Sequence, residues 1–146
     1  MSPSILYLNS AISYQAVTGT ESLTSFRLNG WVQGYELLML VDSGSSHSFI
    51  DITVAQKLHG IQCLQHAVSV KVADGGVISC SQYILGCDWW TQGQIFKTDF
   101  KVLPLGCYDI ILGMDWLVTL GSMNIDWAAK CMEFARADSL VTIKGI

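Results

Sequence analysis

The sequence predicts a mostly β protein that folds as one unit. Short stretches of alternating apolar and polar residues bounded by glycine recur along the chain, while helical periodicity is scarce. The 146 residues are enough to bury a core without covalent staples. Apolar residues make up 51% and charged residues 14%, the balance of a packed globular chain and not of a disordered one.

The first hairpin is read in residues 24–41. Its second arm contains the continuous apolar run Leu37-Leu38-Met39-Leu40-Val41, which predicts burial on both faces. Asn29-Gly30 is the stronger textual turn signal, because both residues tolerate positive φ. A turn there leaves a very short first arm, whereas one at Gln33-Gly34-Tyr35 sends Phe26, Leu28 and Val32 to a single face, so the later turn is predicted. Residues 51–58 place Ile52, Ala55 and Leu58 at helical spacing, with Asp51 as N-cap and Gly60 as stop.

Val68, Val70 and Val72 then alternate up to Asp74-Gly75-Gly76, and Val77-Ile78 begin the return strand of a second, glycine-tipped hairpin. Further strands are predicted at 82–85 and 94–102, where Phe96, Phe100 and Val102 share a face, with Thr91-Gln92-Gly93 turning between them. Residues 108–113 read as a buried strand ending in glycine and residues 114–120 as a short helix stopped by Gly121. A last hairpin is formed by 123–127 and 130–134. The organisation expected is a peripheral N-terminal segment (1–20), a folded domain (21–134) and a C-terminal tail (135–146), since termini without periodicity are usually loosely held.

Composition excludes several functions. A net charge of −4 with no Lys/Arg cluster lacks the footprint of nucleic-acid binding. The longest apolar run is too short to span a bilayer, and no charged segment leads into a long apolar one at the N-terminus, so a soluble, unsecreted protein is expected. The cysteines at 63, 80, 87, 107 and 131 are odd in number and lack zinc-finger spacing. They are expected to be buried free thiols in a reducing, cytoplasmic setting, with no metal bound.

One constellation carries chemistry. In Leu40-Val41-Asp42-Ser43-Gly44-Ser45-Ser46 an acid ends an apolar strand, where burial is costly unless something holds the carboxylate. Gly44 permits a sharp turn, and Ser43 and Ser45 supply hydroxyls. By itself Asp-Ser-Gly is more simply a turn. The second pattern of hydrophobic run, glycine and short helix at Ile110-Ile111-Leu112-Gly113 reverses that preference, because two such features flank a glycine-tipped hairpin as two halves of a pseudo-symmetric unit would.

Four ordered blocks carry a family resemblance: 40–50 around Asp42-Ser43-Gly44, 72–76 at the hairpin tip, 100–105, and 108–117 around Ile111-Leu112-Gly113. Over residues 12–134 the chain resembles the protease domain of Ty3/Gypsy-type, especially plant, retrotransposon polyproteins, a retropepsin-like aspartic protease. The resemblance implies a closed acid-protease β barrel with one or two short helices, one lobe per chain. It implies a homodimer in which two active-site loops meet, and hydrolysis of peptide bonds without a cofactor. Asp42 becomes the catalytic acid, with Ser43, Gly44 and Ser45 supporting it. Val72, Ala73, Asp74, Gly75, Gly76 and Val77 become the flap over a polypeptide substrate, and Ile111, Leu112 and Gly113 the motif beneath the loop.

Two departures lower the expected dimer stability. Ser43 stands where many relatives have Thr, keeping a hydroxyl for an inter-subunit hydrogen bond but losing a methyl. Met114-Asp115-Trp116 follows Gly113 where those relatives carry a bracing Arg. Ser45 is expected to hydrogen-bond Asp42, and activity at mildly acid pH follows. A silent relative, using the fold to dimerise or bind peptides, is the rival reading.

Other residues are given plainer roles. His47, His59 and His66 have no ligand spacing and are assigned none. Ser45 and Ser46 beside His47 lack a Gly-x-Ser-x-Gly setting. Trp89, Trp90, Trp116 and Trp127 are read as packing, and Asp115 as a helix cap.

Overall fold

The computed structural model describes residues 10–19, 22–72 and 75–146, and strands dominate it. In chain order these residues form β1 (Ala11–Ile12), α1 (Tyr14–Thr18), β2 (Ser25–Val32), β3 (Tyr35–Asp42), β4 (Phe49–Asp51), α2 (Ile52–Ala55), β5 (Ile61–Val72) and β6 (Val77–Thr91). The second half contains β7 (Gln94–Leu103), β8 (Ile110–Leu112), α3 (Met114–Leu117) continued by a 3-10 turn (Val118–Leu120), β9 (Met123–Asp126), β10 (Cys131–Arg136) and β11 (Ser139–Lys144). An eight-stranded sheet runs β1-β5-β6-β2-β3-β8-β4-β7, with β7 also pairing back to β6, and a three-stranded sheet runs β11-β10-β9.

The hairpin of β2 and β3 turns at Gln33-Gly34, with Val32 opposite Tyr35 and Ser25 opposite Asp42. Both turn residues have left-handed φ, +50° and +86°, the twist that suits a two-residue hairpin. Gly30 stays inside β2, where a Cβ would lie 3.1 Å from the Trp90 carbonyl oxygen.

Two core clusters explain the apolar runs. Met39 and Val41 of β3 enter one, with Phe26, Leu28, Trp89, Phe100 and Trp116, while Leu40 enters the other, with Ile12, Phe49, Val70 and Val72. The same division sends Ile110 and Leu112 of β8 one way and Ile111 the other. Strands with both faces buried read as continuous hydrophobic runs, and β3 and β8 lie side by side in parallel, Leu40 beside Ile111.

Several expectations change. The stretch around Gln82 belongs to one fifteen-residue strand, whose register on β7 shifts between Ile84 and Cys87. Trp89 is buried against Phe96 and Trp116, but Trp90 is partly exposed beside Trp31. Residues 10–19 and 135–146, which lie within the stretches expected to be peripheral, pack into the fold. Ile12 and Ala16 are core residues, and α1 is a helix not anticipated, capped by Ser13 and stopped by left-handed Gly19. At the other end β11 pairs along the whole of β10, Val141 and Ile143 are buried, and Ile146 N–H donates to the Arg27 carbonyl. Only Cys80 and Cys87 of the five free cysteines are buried; Cys63 and Cys107 are exposed.

Asp51 ties three segments together. Its carboxylate caps α2 through Thr53 N–H and the Thr53 hydroxyl, and accepts from Leu105 N–H (2.8 Å) and Gly106 N–H (3.2 Å). Burial alone raises its pKa, yet these hydrogen bonds together bring it below the ordinary 3.8. The stabilisation is therefore fully present above 3.8 and is lost as pH falls through the lower folded value. Replacing Asp51 with Ala is expected to cost about 2–3 kcal/mol in denaturant unfolding at neutral pH, and the difference from wild type should shrink on acidification.

Candidate active site

Asp42 is the last residue of β3, delivered by a strand with no freedom to shift because Leu40 and Val41 are locked between β2 and β8. Its side chain is only 1% exposed. A carboxylate so placed needs hydrogen-bond donors, and the following loop provides them. Gly44 N–H donates to Oδ1 at 3.1 Å, and the Ser45 hydroxyl to Oδ2 at 2.7 Å. A third donor comes from a distant part of the chain: the Ser13 hydroxyl reaches Oδ2 at 2.6 Å.

The loop is held from beneath by the start of α3. Met114 N–H donates to the Ser45 carbonyl (2.8 Å) and Asp115 N–H to the Ser46 carbonyl (3.1 Å). This approach is possible only at glycine, since a Cβ on Gly113 would sit 2.2 Å from the His47 carbonyl oxygen and 2.7 Å from that of Ser45. Ser48 closes the support: its hydroxyl donates to Asp115 Oδ1 at 2.6 Å and accepts from Gly113 N–H at 3.0 Å. Ser43 turns away from the carboxylate and donates to the Thr24 carbonyl at 3.1 Å.

Below the loop lies a buried cation. Lys101 in β7 stands opposite Phe49 of β4, with its Nζ 5.7 Å from the ring centre. Burial pushes its pKa down to about 8, against the pull of Asp115. His47, hydrogen-bonded through Nδ1 to the Ser46 hydroxyl at 2.8 Å, is also lowered, first by burial and then by the Lys101 charge, with Asp115 opposing.

The profile of the retroviral aspartyl protease family matches residues 11–140. The chain belongs to that family. Among solved structures it is similar to the retroviral protease-like domain of Ddi1 from Leishmania major, with a TM-score of 0.64 and 16% identity over 86% of this chain and 96% of that one. It is also similar to the EIAV protease complexed with the inhibitor HBY-793, with a TM-score of 0.54 and 19% identity over 68% of this chain and 91% of that one. At such identities the likeness shows the retropepsin-like fold. No curated protein matches the sequence.

Six of the expected site residues lie together: Asp42, Gly44 and Ser45 form the carboxylate cradle, and Ile111, Leu112 and Gly113 run from the strand beside β3 to the helix start that braces the loop. The expected flap is the junction of β5 and β6. Val72 is buried, Val77 is exposed, Gly75 N–H donates to the Val72 carbonyl and Val72 N–H to the Gly76 carbonyl, while Ala73 and Asp74 lie outside the described residues.

Two residues escaped the sequence reading. Asp115 does more than cap a helix, because it fastens Ser48 and so the loop. Ser13 lies in the segment expected to be peripheral. The signal was present nonetheless, since a serine five residues ahead of a Thr-Gly helix end has the form of an N-cap, and its hydroxyl does accept from Ala16 N–H. Two other carboxylates have structural partners: Asp109 accepts from Leu38 N–H and Asp126 from Ala129 N–H.

Gly113→Ala is expected to cost about 3 kcal/mol or more, because the opposing atoms are backbone and cannot yield; thermal unfolding measures it. Lys101 gives a pH signature. Its folded pKa of about 8 lies below the ordinary 10.5, so between those values the unfolded chain binds more protons and stability rises with pH. Urea titrations across this window should show the rise as the difference between wild type and Lys101→Met, since the raised pKa values of the buried Cys80 and Cys87 thiols lower stability with rising pH in both chains.

Proposed function

We propose that the chain is an aspartic endopeptidase that works as a homodimer, each copy contributing Asp42. The observation that carries this reading is the cradle: an acid at the end of a buried strand, its two oxygens held by Gly44 N–H and the Ser45 hydroxyl on a loop braced from beneath by Gly113 and Asp115. Peptide hydrolysis of this kind needs two carboxylates and one chain brings one, so two copies must face each other across a two-fold axis.

Two carboxylates within a few ångströms cannot both ionise, and aspartic proteases are the familiar case of a pair that shares one proton. The ionised member takes a proton from a bridging water as its oxygen bonds to the scissile carbonyl carbon. The protonated member gives its proton to the carbonyl oxygen. Collapse of the resulting diol breaks the C–N bond: the carboxylate that gave up its proton takes one from a diol hydroxyl, and the carboxyl that took the water's proton passes it to the departing nitrogen, which restores the shared proton. The substrate would lie as an extended strand between the flap and the loop, its alternating side chains entering largely apolar pockets. The sequence resemblance to Ty3/Gypsy-type polyproteins makes the joints of such a polyprotein the proposed substrates, and the free thiols suit a reducing compartment.

One observation favours a second reading, a silent domain that dimerises or binds peptides. In the single chain Asp42 is covered, with the Ser13 hydroxyl on Oδ2. Cleavage of an unfolded protein between about pH 4 and about pH 8 separates the two. The protease reading expects a bell-shaped profile peaking on the acid side, no cleavage by Asp42→Asn, and a rate that rises faster than linearly with chain concentration. A folded, dimeric wild type that never cuts selects the silent module, and an optimum above neutrality contradicts the shared-proton dyad.

A further inference from the structure

The segment that covers Asp42 has the form of a bound peptide. β1 pairs in parallel with the end of β5, Ala11 beside Lys71 and Ile12 beside Val72, and Lys71 N–H donates to the Ser10 carbonyl at 3.2 Å. Its other edge is bonded to the active-site loop. Ala11 N–H donates to the Ser46 hydroxyl (2.8 Å), Ser46 N–H to the Ala11 carbonyl (2.9 Å), and Ser13 N–H to the Ser45 hydroxyl (3.0 Å). An extended chain hydrogen-bonded along both edges, between the strand leading to the flap and the loop bearing the acid, is how a peptide joins a sheet as an added strand.

Side chains complete the likeness. Ile12 is buried in the apolar cluster that also holds Val70, Val72, Leu105 and Tyr108. At the point where a substrate would present its carbonyl, Ser13 presents a hydroxyl, 2.6 Å from Asp42 Oδ2. Asp42 is 1% exposed beneath it, so no water, peptide carbonyl or second carboxylate reaches the acid while the segment is in place.

We propose that residues 10–13 are an intramolecular pseudosubstrate, which binds in the substrate's own strip and keeps the site closed until it is displaced. This rests on the protease reading for its consequence, but the occupancy of the strip does not. The anchorage suits release: a two-residue strand and a five-residue helix are too short to persist without their contacts. The return end is tethered separately, by the Tyr108 hydroxyl on the Gly19 carbonyl at 3.0 Å, so the segment can leave the strip without leaving the fold.

The test uses the full-length chain with Ala11→Pro and Ser13→Asp together. Proline removes the N–H that Ser46 accepts, and aspartate keeps the cap of α1 while setting a second carboxylate against Asp42. A fluorescently labelled peptide with the sequence of residues 10–16 is the probe, read by anisotropy, and circular dichroism verifies the fold of each chain. If the wild-type strip is open about one tenth of the time or less, the double variant should bind the peptide at least about tenfold more tightly than wild type, and the same peptide should inhibit its cleavage of an unfolded protein. Equal binding by wild type and by a folded double variant overturns the proposal, as does no binding to either. Tighter binding with no cleavage by any chain supports the pseudosubstrate and rejects the protease reading, and tighter binding with cleavage slower than wild type makes the segment part of the working site and overturns the inhibitory role.

Discussion

Holding one ionisable carboxylate in place at the end of a buried strand is the constraint from which the rest of this structure follows. An acid with 1% exposure is tolerable only when its oxygens are occupied by donors. Here the donors are a glycine N–H and two serine hydroxyls, from residues 44, 45 and 13. The loop must be rich in small hydroxyl residues because only they reach the carboxylate from so tight a turn. It must also be immobile, because a hydroxyl displaced by an ångström no longer makes its bond.

Immobility comes from the element beneath. Ile110-Ile111-Leu112 lies parallel to β3 in the sheet, and Gly113 lets the following helix press its first N–H groups against the loop carbonyls. Asp115 then fastens Ser48, and the buried Lys101 lies within electrostatic reach of that aspartate. Met114-Asp115-Trp116 follows Gly113 here, and Met114 and Asp115 hold the loop through contacts within one chain.

The parts legible in the sequence were those with strong local causes. Alternation placed β2, the double-sided apolar runs identified β3 and β8, and Asp51 and Gly121 marked helix ends. Ser45 was recognised as a partner of Asp42 because it lies three residues away on a forced turn. What escaped depended on distance. The Ser13 contact spans twenty-nine residues, and nothing in the local pattern of residues 10–19 reveals the pocket that buries Ile12. The strand through Trp89 and Trp90 was hidden by the register shift beside Gly86, and β11 by a turn at Ala137-Asp138 that has left-handed φ without a glycine.

The central claim is that function requires one Asp42 from each of two chains. It is tested most directly by titrating the Asp42→Asn chain into a fixed amount of wild type and following cleavage of an unfolded protein. Mixed pairs carry a single aspartate carboxylate, so the account predicts that the rate falls as the inactive chain is added. A rate that is unchanged by excess Asp42→Asn chain, with mixed dimers present, contradicts it.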